Sequence, residues 1–130
     1  MRKAYFLQTC DTCRRILKEV NTTGFERQEI KSNPVNVAQL EEMHQRSGSY
    51  EALFNKRAKL YKALDLKNKT LSEADYRQYI LEEYTFLKRP VFMVEDSIFI
   101  GNSKNVIAAL KAKINWNSLK KHVFLKQHYL

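Results

Sequence analysis

The stretch Thr9-Cys10-Asp11-Thr12-Cys13-Arg14-Arg15 constrains the fold more than any other. It lies between an apolar run, Ala4-Tyr5-Phe6-Leu7, and an amphipathic run, Ile16-Leu17-Lys18-Glu19-Val20. A short strand followed at once by helix-period sequence puts Cys10 in the turn and Cys13 in the first helical turn. The first turn of a helix has unpaired N–H groups and a partial positive charge, and both favour thiolate over thiol. Arg14 and Arg15 add full charges nearby. Cys10 is therefore expected to be a low-pKa nucleophile, with Cys13 close enough to form a disulfide with it.

These are the only two cysteines. C-x-x-C after the first strand of an α/β pattern is a redox signature, but the same spacing also fits half of a zinc site or two ordinary thiols. Against zinc, no second cysteine pair is present, and His44, His122 and His128 are scattered far from the motif. No bound metal or cofactor is expected.

A chain of 130 residues is one domain, long enough to bury a core. No apolar run has the length of a membrane span, and the N-terminus lacks an apolar signal region, so a cytoplasmic protein is expected. In that compartment a cysteine pair is more often reactive than structural. The net charge of +9 fits nucleic acid, an acidic partner protein, a small oxyanion substrate or simple solubility. The basic residues are spread along the chain without a nucleic-acid-binding motif, so direct nucleic-acid binding is not expected.

After the first strand and helix, Asn21-Thr22-Thr23-Gly24 reads as a turn and Phe25-Glu26-Arg27-Gln28-Glu29-Ile30 as a second strand. This βαβ unit implies a parallel pair. Lys31-Ser32-Asn33-Pro34 breaks the pattern, and helical periodicity follows. Val37, Leu40 and Met43 form one stripe; Leu53, Leu60 and Leu64 fall in later segments. Ser72 is an N-cap, with Leu71 and Tyr76 placed as a hydrophobic staple, for a helix from about Glu73 to Glu83. Val91 to Glu95 and Ser97 to Ile100 then read as an antiparallel hairpin turning at Asp96. Gly101-Asn102-Ser103 caps a helix from Lys104 to about Lys113, with Val106, Ile107 and Leu110 facing inward. Trp116, Leu119, Val123 and Phe124, at helical spacing, suggest a final helix packed on the core.

Without its helical middle, this is the element order of the thioredoxin-like fold. The expected architecture is α/β, a mixed four-stranded sheet with an all-helical insertion. The core falls at about residues 1–31 and 87–114, the insertion at about 34–86 and the tail at 115–130.

Three local features together resemble the arsenate reductase ArsC and Spx family. They are Cys10-x-x-Cys13-Arg14 after the first strand, Phe54-Asn55-Lys56-Arg57-Ala58-Lys59 in the insertion, and Leu87-Lys88-Arg89-Pro90-Val91 before the third strand. The resemblance covers about Lys3 to Leu110. By matched position it implies Cys10 as the nucleophile, Arg14 as a helix-end arginine supporting the thiolate, and Arg57 and Arg89 as oxyanion ligands. Pro90 resembles the cis-proline that faces the cysteine site in such folds. Where classical arsenate reductases supply a further arginine, this chain reads Ile100-Gly101-Asn102, and where they have serine or threonine it has Cys13, as Spx proteins do.

Two functions follow from the resemblance. One is a thiol-dependent reductase acting on arsenate or a related substrate, in which Cys10 attacks and Cys13 closes a disulfide, with glutathione, glutaredoxin or thioredoxin as electron donor. The other is a Spx-like redox-sensing regulator that binds the RNA polymerase alpha subunit.

Overall fold

The computed structural model describes the backbone of residues 1–129 and the side chains of residues 1–116. Four strands, β1 (Arg2–Phe6), β2 (Glu26–Glu29), β3 (Val91–Val94) and β4 (Ser97–Ile100), form one mixed sheet in the order β2-β1-β3-β4. β1 and β2 are parallel, while β1–β3 and β3–β4 are antiparallel. The parallel pair requires a crossover, supplied by α1 (Asp11–Glu19).

Between β2 and β3 come α2 (Val37–Ser47), α3 (Tyr50–Leu53), α4 (Lys59–Ala63) and α5 (Glu73–Glu82), with 3-10 turns at Leu66–Asn68 and Tyr84–Phe86. The helix starts are set by side chains. Asn36 with Gln39, and Ser72 with Asp75, form reciprocal capping boxes, and the Ser49 side chain accepts from the Ala52 N–H.

Successive strand side chains point to opposite faces. On one face Ala4, Phe92 and Val94 pack with Ile16, Leu17 and Val20 of the α1 crossover and with Ile107, Leu110 and Ile114 of α6 (Lys104–Tyr129). On the other, Tyr5, Val91 and Met93 pack with Leu40, Met43, Leu53, Phe54, Tyr76, Ile80 and Phe86 of the helical insertion. The sheet is thus the middle of three layers.

Some expectations are corrected. Val37 is 52% exposed and does not share the buried stripe of Leu40 and Met43; Leu60 and Leu64 are also exposed. Val106 is only half-buried and lines a cleft described below. The last helix runs unbroken from Lys104 to Tyr129 rather than stopping near Lys113. Trp116 on it is exposed, and the side chains of Leu119, Val123 and Phe124 lie outside the described residues. Among the described residues no helix is long and apolar enough to cross a membrane.

Candidate active site

Cys10 is the N-cap residue of α1, with extended backbone geometry. Its N–H donates to the Leu7 carbonyl and its own carbonyl accepts from the Arg14 N–H, both at 3.1 Å, so the turn between β1 and α1 is closed around it. Cys10 is half-buried and Cys13 fully buried one turn on, and both are free thiols.

The two thiols have opposite acidities. Partial burial alone would raise the pKa of Cys10. That is outweighed by the Cys13 N–H and side chain, which face its sulfur, and by the charge and N–H groups of Arg89, so the net pKa lies below that of an ordinary thiol. Burial pushes the Cys13 thiol up to about 12, aided by the neighbouring Cys10 charge and opposed by a backbone hydrogen bond at Leu7 and by Arg89. Cys10 is thus the more acidic thiol of the pair, and Cys13 stays protonated beside it.

The Cys10 sulfur faces an open cleft of about 850 Å³ whose walls include Lys56, Arg57, Lys88 and Arg89 on one side and Ile100 to Ser103 on the other. A single antiparallel bridge, Phe54 with Leu87, brings the basic pairs together. The Asn55 N–H donates to the Phe86 carbonyl at 2.7 Å and the Lys88 N–H to the Leu53 carbonyl at 2.8 Å. The insertion is thereby fixed against the run entering β3, and Phe54, fully buried and stacked on Phe86 at 5.0 Å, anchors the junction. The Arg89–Pro90 peptide is cis, and the Pro90 carbonyl accepts from the Gly101 N–H at 2.9 Å, joining the two walls.

Cys10, Arg57 and Arg89 therefore meet in one cleft, with Cys13 buried next to Cys10; Pro90 is not among the residues that line it. Arg14 does not join them. Its guanidinium pairs with Asp11 on the exposed side of α1, and Arg89 takes the place beside the thiolate that proximity in sequence suggests for Arg14. The wall formed by Ile100, Gly101 and Asn102 carries no guanidinium.

Sequence reasoning missed Asn55, Lys56 and Lys88. Asn55 Oδ1 accepts from the Arg57 N–H at 3.0 Å, while its Nδ2 donates to the Thr85 carbonyl at 3.2 Å, the same oxygen that accepts from Arg89 Nη1 at 3.1 Å. Lys56 bonds Glu51 at 2.8 Å, which offsets part of the cleft's positive charge. The doubled cations Lys56-Arg57 and Lys88-Arg89 were the available signal. Among the described residues no group of three or more histidine, cysteine or acidic side chains could hold a metal ion.

A sequence match to the ArsC family covers residues 5–110. No curated protein sequence matches the chain. Among solved structures, a candidate arsenate reductase from Streptococcus mutans UA159 is 27% identical, with a TM-score of 0.66 over 80% of this chain and 92% of that one. A protein from Bacteroides fragilis related to the ArsC family has a TM-score of 0.71 at 23% identity, covering 85% and 97% of the two chains. An arsenate reductase from Vibrio cholerae has a TM-score of 0.68 at 18% identity, covering 84% and 94%. The last two likenesses speak to the fold alone. The family match runs from the first strand into the last helix and includes every residue that lines the cleft, so this protein belongs to the ArsC family and is a thiol-dependent protein of that type.

Proposed function

We propose that the protein is a reductase of arsenate or a related oxyanion, working through Cys10 and Cys13. The observation that carries this reading is Cys10 opening into a basic cleft with Arg89 beside it and its thiol pKa lowered. Guanidinium groups match a tetrahedral oxyanion by bidentate hydrogen bonding, and Arg57 and Arg89 reach the cleft from opposite sides of the Phe54–Leu87 bridge.

The Cys10 thiolate attacks arsenic(V), a sulfur–arsenic bond forms, and one oxygen leaves as water after protonation. Cys13 then attacks the Cys10 sulfur, loses its proton, and forms the disulfide as the sulfur–arsenic bond breaks. The electron pair of that bond stays with arsenic, which departs as arsenic(III). Two electrons and two protons from glutathione, glutaredoxin or thioredoxin restore the thiols. The acidities order these steps, because forming the adduct removes the Cys10 negative charge that raises the Cys13 pKa. Free thiols of this kind suit a reducing compartment such as the cytoplasm.

The test is arsenate-dependent oxidation of NADPH, coupled through glutathione, glutaredoxin and glutathione reductase or through thioredoxin and its reductase. Turnover lost in Cys10→Ser is expected; equal turnover in that variant, or none with either system, contradicts the reading.

A second reading draws on the cleft wall at Ile100, Gly101 and Asn102, which supplies no oxyanion ligand. It is a Spx-like redox-sensing regulator that binds the RNA polymerase alpha subunit. Retention of that subunit on the immobilised protein, dependent on the redox state of Cys10, would support it.

A further inference from the structure

The segment from Lys56 to Lys69 leaves the cleft and runs over the surface with little of itself buried. Helix α4 buries none of its own residues. Three points hold the segment down: Ala58 is buried, Tyr61 sets its ring against Phe54 at 6.0 Å, and Leu66 is 1% exposed. Leu60 and Leu64, four apart and so on one helical face, stand 38% and 44% exposed.

Its charge is equally unpartnered. Arg2, Lys3, Arg46 and Arg77 sit beside the carboxylates of Glu95, Glu26, Glu42 and Glu41. Within this segment Lys56 pairs with Glu51, but Arg57, Lys59, Lys62, Lys67 and Lys69 form no ion pair with any described residue. The one carboxylate of the segment, Asp65, accepts from Asn68 at 2.7 Å. An exposed leucine pair ringed by unpaired lysines fits a protein surface that is acidic around an apolar centre; nucleic acid has no use for the leucines.

Lys56 and Arg57, which begin the segment, line the same cleft as Cys10. We propose that the α4 segment is the docking surface for an acidic dithiol protein that returns electrons to Cys10. The inference rests on the redox reading of Cys10. Because Cys13 is fully buried, an incoming thiolate can reach only the Cys10 sulfur of the disulfide. The partner thiolate bonds to Cys10 and Cys13 leaves and is protonated. The partner's second thiol then displaces Cys10, giving a net two-electron transfer. Cys13, with its raised pKa, is a poor leaving thiol, so intrinsic exchange is slow and the effective concentration supplied by docking gains weight.

The test uses Cys13→Ser protein carrying thionitrobenzoate as a mixed disulfide on Cys10, so that neither arsenate nor disulfide closure is needed. Chromophore release is timed with a net-acidic thioredoxin, with a net-acidic glutaredoxin and with dithiothreitol. Replacing Lys59, Lys62 and Lys67 by Glu should slow at least one protein reductant on the order of tenfold and leave dithiothreitol unaffected. Raising salt should slow the same reductant on the otherwise unaltered surface. Unchanged rates with both proteins, or an equal loss with dithiothreitol, would overturn the proposal. So would duplex DNA binding that the three substitutions abolish while protein reduction proceeds unchanged. Failed arsenate turnover alongside charge-dependent reduction would instead contradict the proposed substrate and leave the docking surface standing.

Discussion

Arg89 lies against Cys10 and lowers its thiol pKa, although the two residues are far apart in sequence, one just before β3 and the other just after its sheet neighbour β1. The backbone around Arg89 is tied to the insertion through the Thr85 carbonyl, which Arg89 and Asn55 share. Reactivity at Cys10 is therefore coupled to how the insertion sits on the sheet.

Asn55 should behave as a positioning residue for both arginines. Asn55→Ala removes the acceptor for the Arg57 N–H and one donor at the Thr85 carbonyl. At about 1 kcal/mol per hydrogen bond, the expected result is a roughly fivefold or larger rise in KM for the oxyanion, with kcat changed less. Asn55→Asp keeps the acceptor and loses the donor, so it should recover the Arg57 part of the effect only. Steady-state kinetics of the two variants check this.

Cys13→Ser should halt the reaction after the first bond is made. Intact-mass measurement after mixing with arsenate in the absence of other thiols should find a Cys10–arsenic adduct in the variant and a disulfide in the unaltered protein. A disulfide-free product from the unaltered protein would assign resolution to an external thiol instead.

Phe54 is the mechanical centre of the insertion, in ring contact with Tyr61, Tyr76, Tyr79 and Phe86. Phe54→Ala leaves a cavity at a fully buried position and should cost about 3–5 kcal/mol in urea unfolding. It should also slow alkylation of Cys10, because the bridge that sets Arg89 loses its anchor.

Stability should fall on the alkaline side, where burial also raises Tyr50 and Tyr76, and two groups lead the effect. The folded Cys13 thiol is raised to about 12 by burial, against about 8.5 in the unfolded chain. Tyr5 is raised to about 12, by burial first and then by the Glu42 and Glu26 carboxylates, against about 10 unfolded. A raised folded pKa contributes stability that is intact below the unfolded value and lost as pH rises through the folded one. Thermal unfolding should show Tm declining from about pH 8.5, with a second, steeper decline above about pH 10. Cys13→Ala should flatten the first portion relative to its own neutral Tm.

Much of this molecule was legible in its sequence because local signals and tertiary arrangement agree. The unbroken apolar runs at Ala4 and Tyr5 and at Val91 to Val94 serve two buried faces, and the placement of Cys10 at a helix start follows from a strand running straight into helix-period sequence. The thiolate's main cationic neighbour was not legible in the same way. Arg14 is near Cys10 in sequence, but on the first turn of α1 it points to solvent and to Asp11, whereas Arg89 arrives through a non-local strand pairing. Asn55 was missed for a related reason. Its role depends on the Phe54–Leu87 bridge, a contact that no periodicity announces. The exposure of Val37, Leu60 and Leu64 shows where helical spacing overstates burial: Val37 opens α2 one turn before its buried Leu40, and α4 buries none of its own residues.

Whether Arg89 lowers the Cys10 thiol pKa is tested most directly by the pH dependence of Cys10 alkylation in a Cys13→Ser background, with and without Arg89→Ala. The account predicts a midpoint below the value of about 8.5 for a free thiol, moved upward by the arginine substitution. A midpoint at or above that value, or one indifferent to Arg89, would contradict it.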